Sequence, residues 1–291
     1  MAKAKKPLAK DAGRPDLETL VAQLEKAVGE LSPDGPTRIR KARAQLEAVA
    51  RRISAKAEEL DRTKRPSSVF DPSNPALVGR YIAITMIAQD RVPLAAIDRF
   101  YGAGVYAIYY RGDFPQYGPL SKTEHPIYVG KADPEVDSAK TVMDHGTKLW
   151  DRLNDHRKSI TKVSNLAIGD FECRFLVVAP GYQKSAEDYL IKLFEPIWNN
   201  EMGLAYGIGK HGDAAETRGN KRSPWDTLHP GRAWAADIAA DQKDIATIDS
   251  ELKTHFGKVR PYTDVQDIFS RFMAEMHQLR TISSTNTTTP P

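Results

Sequence analysis

Six side chains in the middle of the chain can move a proton, hold a cation or meet an anion, and their spacing draws them together. Two are phenols, Tyr106 in GVYAIYY (104–110) and Tyr128 in PIYVGKA (126–132), each inside a short apolar run beside glycine. In LWDRLNDHRKSI (149–160), Arg152 and His156 are four apart, so one helical face carries a permanent cation next to a group that titrates near neutrality. Leu149, Leu153 and Ile160 form an apolar stripe beside them, which sets that face at the edge of a core. A solvated face with incidental charges is the plain alternative. In SAEDYLIKLFEPIWNN (185–200), Glu187 is followed at i+3, i+4 and i+7 by Leu190, Ile191 and Phe194, so the carboxylate stands in the core-facing stripe of its own helix. A carboxylate there needs a partner. A metal ion would be one; a helix-start glutamate behind a Ser185 cap, favoured by the helix dipole, is the other. Pro196 ends this helix and brings back Asn199, whose amide can orient a neighbouring carboxylate or phenol.

The elements that must position these groups follow from periodicity. ALVGRYIAITMIAQD, GTKLWDRLNDHRKSI and SAEDYLIKLF are expected as helices, and GVYAIYY, PIYVGKA and DFECRFLVV as strands. Residues 113–125 between the first two strands are too few for a helical crossover, so those strands are expected to be antiparallel neighbours, with Tyr106 and Tyr128 close in space. The fold class is α/β (α+β) with few strands.

The rest of the chain bounds the possibilities. At 291 residues and 41% hydrophobic it can bury a real core, and a formal charge of +4 permits a polyanionic partner without demanding one. The single cysteine, Cys173, excludes an internal disulfide framework, and no long apolar stretch marks a membrane span or signal peptide, so a reducing cytoplasm is the expected setting. Residues 1–13 read as a disordered basic tail and 281–291 as a disordered tail. Residues 14–63 read as an antiparallel helical hairpin, with Leu17, Val21, Leu24, Val28 and Leu31 on one helix and Ile39, Ala42, Leu46, Val49, Ile53 and Leu60 on the other. Its role is packing or dimerisation, or DNA contact through Arg38, Arg40, Lys41, Arg51 and Arg52. The proline-rich stretch 64–75 is a linker, 76–234 the main domain, and 235–280 a C-terminal helical region.

Taken in order, the GVY strand, the YVG strand, the Arg-x-x-x-His helix and the Glu helix ending in Pro and Asn resemble the GIY-YIG nuclease superfamily over about residues 100–200. Valine replaces the eponymous isoleucine in both tripeptides, which only shortens a packing residue. His156, with NLAIGDFECRFLVV, GIGKHG and SPWDTLHPGR, is similar to the Type II restriction endonuclease branch that cuts GC-rich palindromes of the CCGCGG kind, over about residues 70–234. The resemblance implies a small, mainly antiparallel three-stranded sheet flanked by helices. It implies Glu187 as the ligand of Mg²⁺, with Mn²⁺ as a substitute, Arg152 on the scissile phosphate and Tyr106 as general base. Tyr128 would bond the water or phosphate, His156 would relay the proton and Asn199 would complete the set. A phenol with a reference pKa of about 10 is a poor base at neutral pH without such help. The same fold as a structure-specific repair or homing-type nuclease, and a non-catalytic DNA-binding module, are the alternatives.

For DNA contact the sequence offers Lys131 directly after YVG, and Lys210, Arg218, Lys221, Arg222 and Arg232 in the glycine-rich stretch 207–234. Any of these could meet phosphate, and Arg218, Lys221, Arg222 or Arg232 could reach guanine edges. Trp225, Leu228 and Trp234 are expected to anchor that stretch. Double-stranded DNA is the expected partner, read by a homodimer with one subunit per strand, and a cognate DNA methyltransferase is expected as genomic neighbour.

Overall fold

The computed structural model describes residues 16–61, 63, 69–209 and 221–277, so the tails expected at 1–13 and 281–291 lie outside the described residues. It divides into two units, before and after residue 67. The first holds helix α1 (Leu17–Gly29), which starts where the Asp16 carboxylate accepts the Thr19 amide proton at 2.8 Å, and helix α2 (Pro36–Leu60), which opens on a proline after Gly35. The spacing predicts an antiparallel helical hairpin. Both helices form, yet neither buries a single residue, because two narrow stripes cannot enclose a core between them.

In the second unit, helix α3 (Pro75–Ile87) begins with Asn74 capping the Ala76 amide at 3.0 Å. Four strands follow: β1 (Val92–Pro93), β2 (Gly104–Tyr110), β3 (Tyr128–Ala132) and, after helix α4 (Lys148–Thr161), β4 (Phe171–Val177). Helix α5 (Gln183–Phe194) comes next. The strands form one antiparallel sheet in the order β1-β4-β2-β3. Beyond the three strands the pattern predicts, β1 adds a two-residue edge that carries a proline, too short to show as alternation.

β2 is central and every one of its seven residues is buried. Tyr106, Ile108 and Tyr110 pack with Leu149 and Leu153 of α4, while Val105, Ala107 and Tyr109 pack with Met86 of α3 and Leu190 and Phe194 of α5. Cover on both faces explains why GVYAIYY reads as a continuous apolar run. Beyond the sheet lie β5 (Lys221–Arg222), α6 (Pro224–Leu228), α7 (Ala233–Ala236), β6 (Ala240–Asp241), α8 (Ile245–Lys258) and α9 (Val265–His277). The core runs across residue 234 without a break: Trp225 and Leu228 share one cluster with Ile248 and Leu252.

The β2–β4 pairing depends on a close approach at Gly104, where an added Cβ would stand 1.9 Å from the Leu176 carbonyl oxygen. Gly104→Ala must push the strands apart, and a loss of about 1–3 kcal/mol is expected, to be read as a lowered midpoint in urea unfolding.

Candidate active site

α4 turns its Leu149, Leu153 and Ile160 stripe fully inward, which sets His156 on the next face against the sheet, while Arg152, one turn earlier, stays exposed. The solvated alternative therefore fails for His156, which is buried, and holds for Arg152 only in that its side chain is exposed where it lines the cleft. His156 Nε2 lies 2.8 Å from Tyr106 Oη. Register brings in the second phenol: Tyr106 is opposite Gly130, and Tyr128 opposite Ile108. The Tyr128 ring then lies 6.0 Å from that of Tyr106 and 4.6 Å from the His156 imidazole, centroid to centroid. A Cβ at position 130 would fall 2.6 Å from Tyr106 Oη and 2.9 Å from Tyr128 Cε1. Glycine is required there because the two rings converge over it.

These groups open into a cleft of about 350 Å³ that Arg152, Glu187, Asn199 and Lys131 also line. All six chemical candidates thus meet at one place. α5 begins at Gln183 with no side-chain cap, so Ser185 lies inside the helix and the capped helix-start alternative for Glu187 falls away. Burial raises the Glu187 carboxyl above its ordinary range, opposed chiefly by Lys131 and Lys184 and reinforced by Glu201. Burial also holds Tyr106 well above the usual phenol value, with Tyr128 adding to it and Arg152 working against it. Tyr128 is pushed up to about 12, again by burial first. Among the described residues, neither Arg152 nor Glu187 is in an ion pair, although both face the cleft.

Asn199 is buried and bonded twice to one residue: Oδ1 accepts the Val129 amide at 3.0 Å and Nδ2 donates to the Val129 carbonyl at 2.8 Å. Its amide therefore acts as an extra strand residue on β3, fixing the strand that carries Tyr128. Among the described residues no three His, Cys, Asp or Glu side chains converge as a metal cage. The cleft offers one partly buried carboxylate, Glu187, with Glu201 near it. That donor set fits a hard cation that keeps most of its own water.

The model of the Eco29kI GIY-YIG domain family matches residues 98–256, more than half of the chain. The chain belongs to the Eco29kI GIY-YIG family. No curated protein matches it. The family is one of restriction endonuclease domains, so the protein is a nuclease with DNA as its substrate. The match ends within α8, whose Ile248 and Leu252 belong to the GIY-YIG core.

Of the expected DNA contacts in this GIY-YIG protein, Arg232 is engaged inside the fold and Arg222 is held in an ion pair while still partly exposed. Arg232 is 3% exposed. It pairs with the buried Asp226 at 2.7 Å, donates to the carbonyls of Ile208 at 2.8 Å and Gly207 at 3.0 Å, and stacks over Trp225. Arg222 forms a two-pronged bridge to Asp241, at 2.7 and 3.1 Å, across the β5–β6 pair. Lys131 lines the cleft and pairs with Asp133, and Lys221 is exposed. Lys210 and Arg218 lie outside the described residues.

Sequence reasoning missed part of the cleft. Ser159 lies three residues after His156 on the same face of α4, a spacing that could have revealed it, and its Oγ reaches the Ile208 carbonyl at 3.4 Å. Gly207, Ile208 and Gly209 form a wall, and Glu201 follows Asn199 by two; no periodicity marks either. Arg232→Ala would leave Asp226 buried and unpaired, so a loss of about 3–5 kcal/mol is expected, measured by chemical unfolding, whereas a DNA-contact role alone would leave stability unchanged.

Proposed function

We propose that the protein is a Mg²⁺-dependent Type II restriction endonuclease that cuts both strands of a GC-rich palindromic site of the CCGCGG kind, as a homodimer with one subunit on each strand. The observation that carries the catalytic part is the Tyr106–His156 hydrogen bond at 2.8 Å opening into the cleft that Arg152 and Glu187 share. The resemblance of the segments around His156 and Arg232 to enzymes of that specificity supports the choice of site. A cognate methyltransferase gene as neighbour, and a cytoplasmic setting, belong to the same proposal.

Glu187 would hold the cation, Mg²⁺ or Mn²⁺ in its place. When bound, the cation supplies charge neutralisation at the phosphate and the leaving 3′ oxygen. Arg152 presents a planar fork of donors to the non-bridging oxygens of the scissile phosphate. The attacking water passes a proton to Tyr106 Oη while Tyr106 hands its own proton to His156 Nε2. Because burial holds Tyr106 well above the usual phenol value, a standing phenolate is unfavourable at neutral pH. Simultaneous transfer through the hydroxyl requires none, which makes the neutral imidazole the final acceptor. Tyr128, still protonated, donates to the water or the phosphate. Asn199 positions Tyr128 through Val129, and Lys131 adds positive charge beside the phosphate. Lys221, which is exposed, would contact DNA together with Lys210 and Arg218.

Digestion of a plasmid library with Mg²⁺, followed by sequencing of fragment ends, is expected to give one GC-rich palindrome. Ends scattered over unrelated sequence, or nicks confined to branched DNA, would refute site-specific cleavage. Glu187→Ala is expected to abolish cleavage while DNA binding in a mobility-shift assay persists. Tyr106→Phe should slow single-turnover cleavage about 10²–10⁴-fold, also with binding retained.

A dependence on pH follows from the raised Glu187 carboxyl. Its charged form is lost as pH falls through a value above the ordinary glutamate value of about 4.3. The Mg²⁺ concentration needed for half-maximal cleavage should therefore climb on mild acidification, before an exposed carboxylate would protonate. A flat Mg²⁺ requirement across that range would contradict the assignment of Glu187.

A further inference from the structure

The family match begins at residue 98 and leaves the first unit, residues 1–67, without an account. Each of its helices carries one apolar stripe, Leu17, Val21, Leu24 and Val28 on α1 and Ile39, Leu46, Val49, Ile53 and Leu60 on α2. All of these side chains are open, from 37% exposed at Val49 to 75% at Leu17. A helix of 13 residues such as α1 is marginal in water unless its apolar face is covered. The stripes are therefore contact surfaces.

The charges beside the stripes indicate what covers them. Glu18 and Glu25 flank the stripe of α1, and Arg38, Arg43 and Arg52 flank that of α2. One chain thus carries both halves of a complementary pair, and a surface that complements itself is what a two-fold dimer requires. DNA would be a poor occupant, since it would repel the acidic helix and leave the leucine and isoleucine stripe uncovered.

We infer that this arm is the self-association element of the protein: α1 and α2 of one copy close with α1 and α2 of a second copy into a four-helix bundle in which acidic and basic helices alternate. Lys56, which interrupts the α2 stripe and pairs with Glu59 at 2.5 Å, places one polar residue in the seam, a device that fixes register and helix number. The inference rests on the homodimer in the proposed function and gives that dimer its interface.

The test is the mass of the full-length protein without DNA, by sedimentation equilibrium, alongside the cleavage assay. The wild type is expected as a dimer and Leu46→Glu with Ile53→Glu as a monomer. Glu18→Lys with Glu25→Lys should weaken the dimer roughly tenfold. Adding Arg38→Glu, Arg43→Glu and Arg52→Glu to that variant should restore it, a rescue that loss of helix formation could not produce. A wild type that stays monomeric at every concentration overturns the inference and the dimer together. A dimer indifferent to the stripe and charge-reversal variants overturns the inference alone, placing the interface elsewhere. Charge reversal on α2 that lowers DNA affinity and leaves the mass unchanged also overturns it, by assigning the arm to DNA.

Discussion

The hydroxyl of Tyr106 stands at the centre of the site, 2.8 Å from His156 Nε2, and much of the surrounding structure serves to bring it there. The contact joins sheet to helix, so it depends on β2 being covered on both faces and on α4 lying at a fixed height above it. The buried Leu149 and Leu153 set that height. Gly130, directly opposite, gives the ring its room, since any Cβ would meet Tyr106 Oη at 2.6 Å. A phenol fixed this firmly is penalised as an anion by the burial that orients it. In the proposed mechanism its useful state is the neutral one, with the imidazole as the route out for a proton.

Tyr109, three residues on, shows what the same strand does where no ligand is called for. It lies under two guanidinium groups, Arg91 at 4.0 Å and Arg174 at 5.0 Å from its ring centroid. Glu124 accepts from both, at 2.7 and 2.8 Å. Charges on that face neutralise one another within the fold. In the cleft, Arg152 and Glu187 share one space while neither is in an ion pair among the described residues. The partly buried Glu187 left in this way costs stability, and a polyanion with its counter-cation would satisfy both it and the exposed Arg152 at once. Lys131, already paired with Asp133, acts as a background charge on Glu187 rather than as its partner.

The pattern of residues made the catalytic half of the molecule legible because local periodicity decides it. The four-residue spacing of Arg152 and His156 fixes a face, and the Leu190, Ile191, Phe194 stripe turns Glu187 inward, whatever lies beyond. Strand pairing between β2 and β3 followed from the short connection. Less legible was anything set by contacts distant in sequence. The Gly207–Gly209 wall belongs to the cleft only because Ser159 and Arg232 hold its carbonyls, and Asn199 serves the backbone of β3 seventy residues earlier rather than a catalytic group. The arm helices were readable as helices, while the exposure left along their stripes depends on how much surface two stripes can cover.

Basic residues were the least legible, since charge alone does not say which way a side chain points. Arg232 and Arg222, both expected at the DNA, are held by Asp226 and Asp241. Their positions give this a purpose. Arg232 fixes the backbone of Gly207 and Ile208, and Arg222 fixes β5, the pairing with β6 that starts at Lys221. Between those two points runs the segment that carries Lys210 and Arg218. In the proposed enzyme, the buried Arg232 and the partly exposed Arg222 would hold the described backbone on either side of that segment in place.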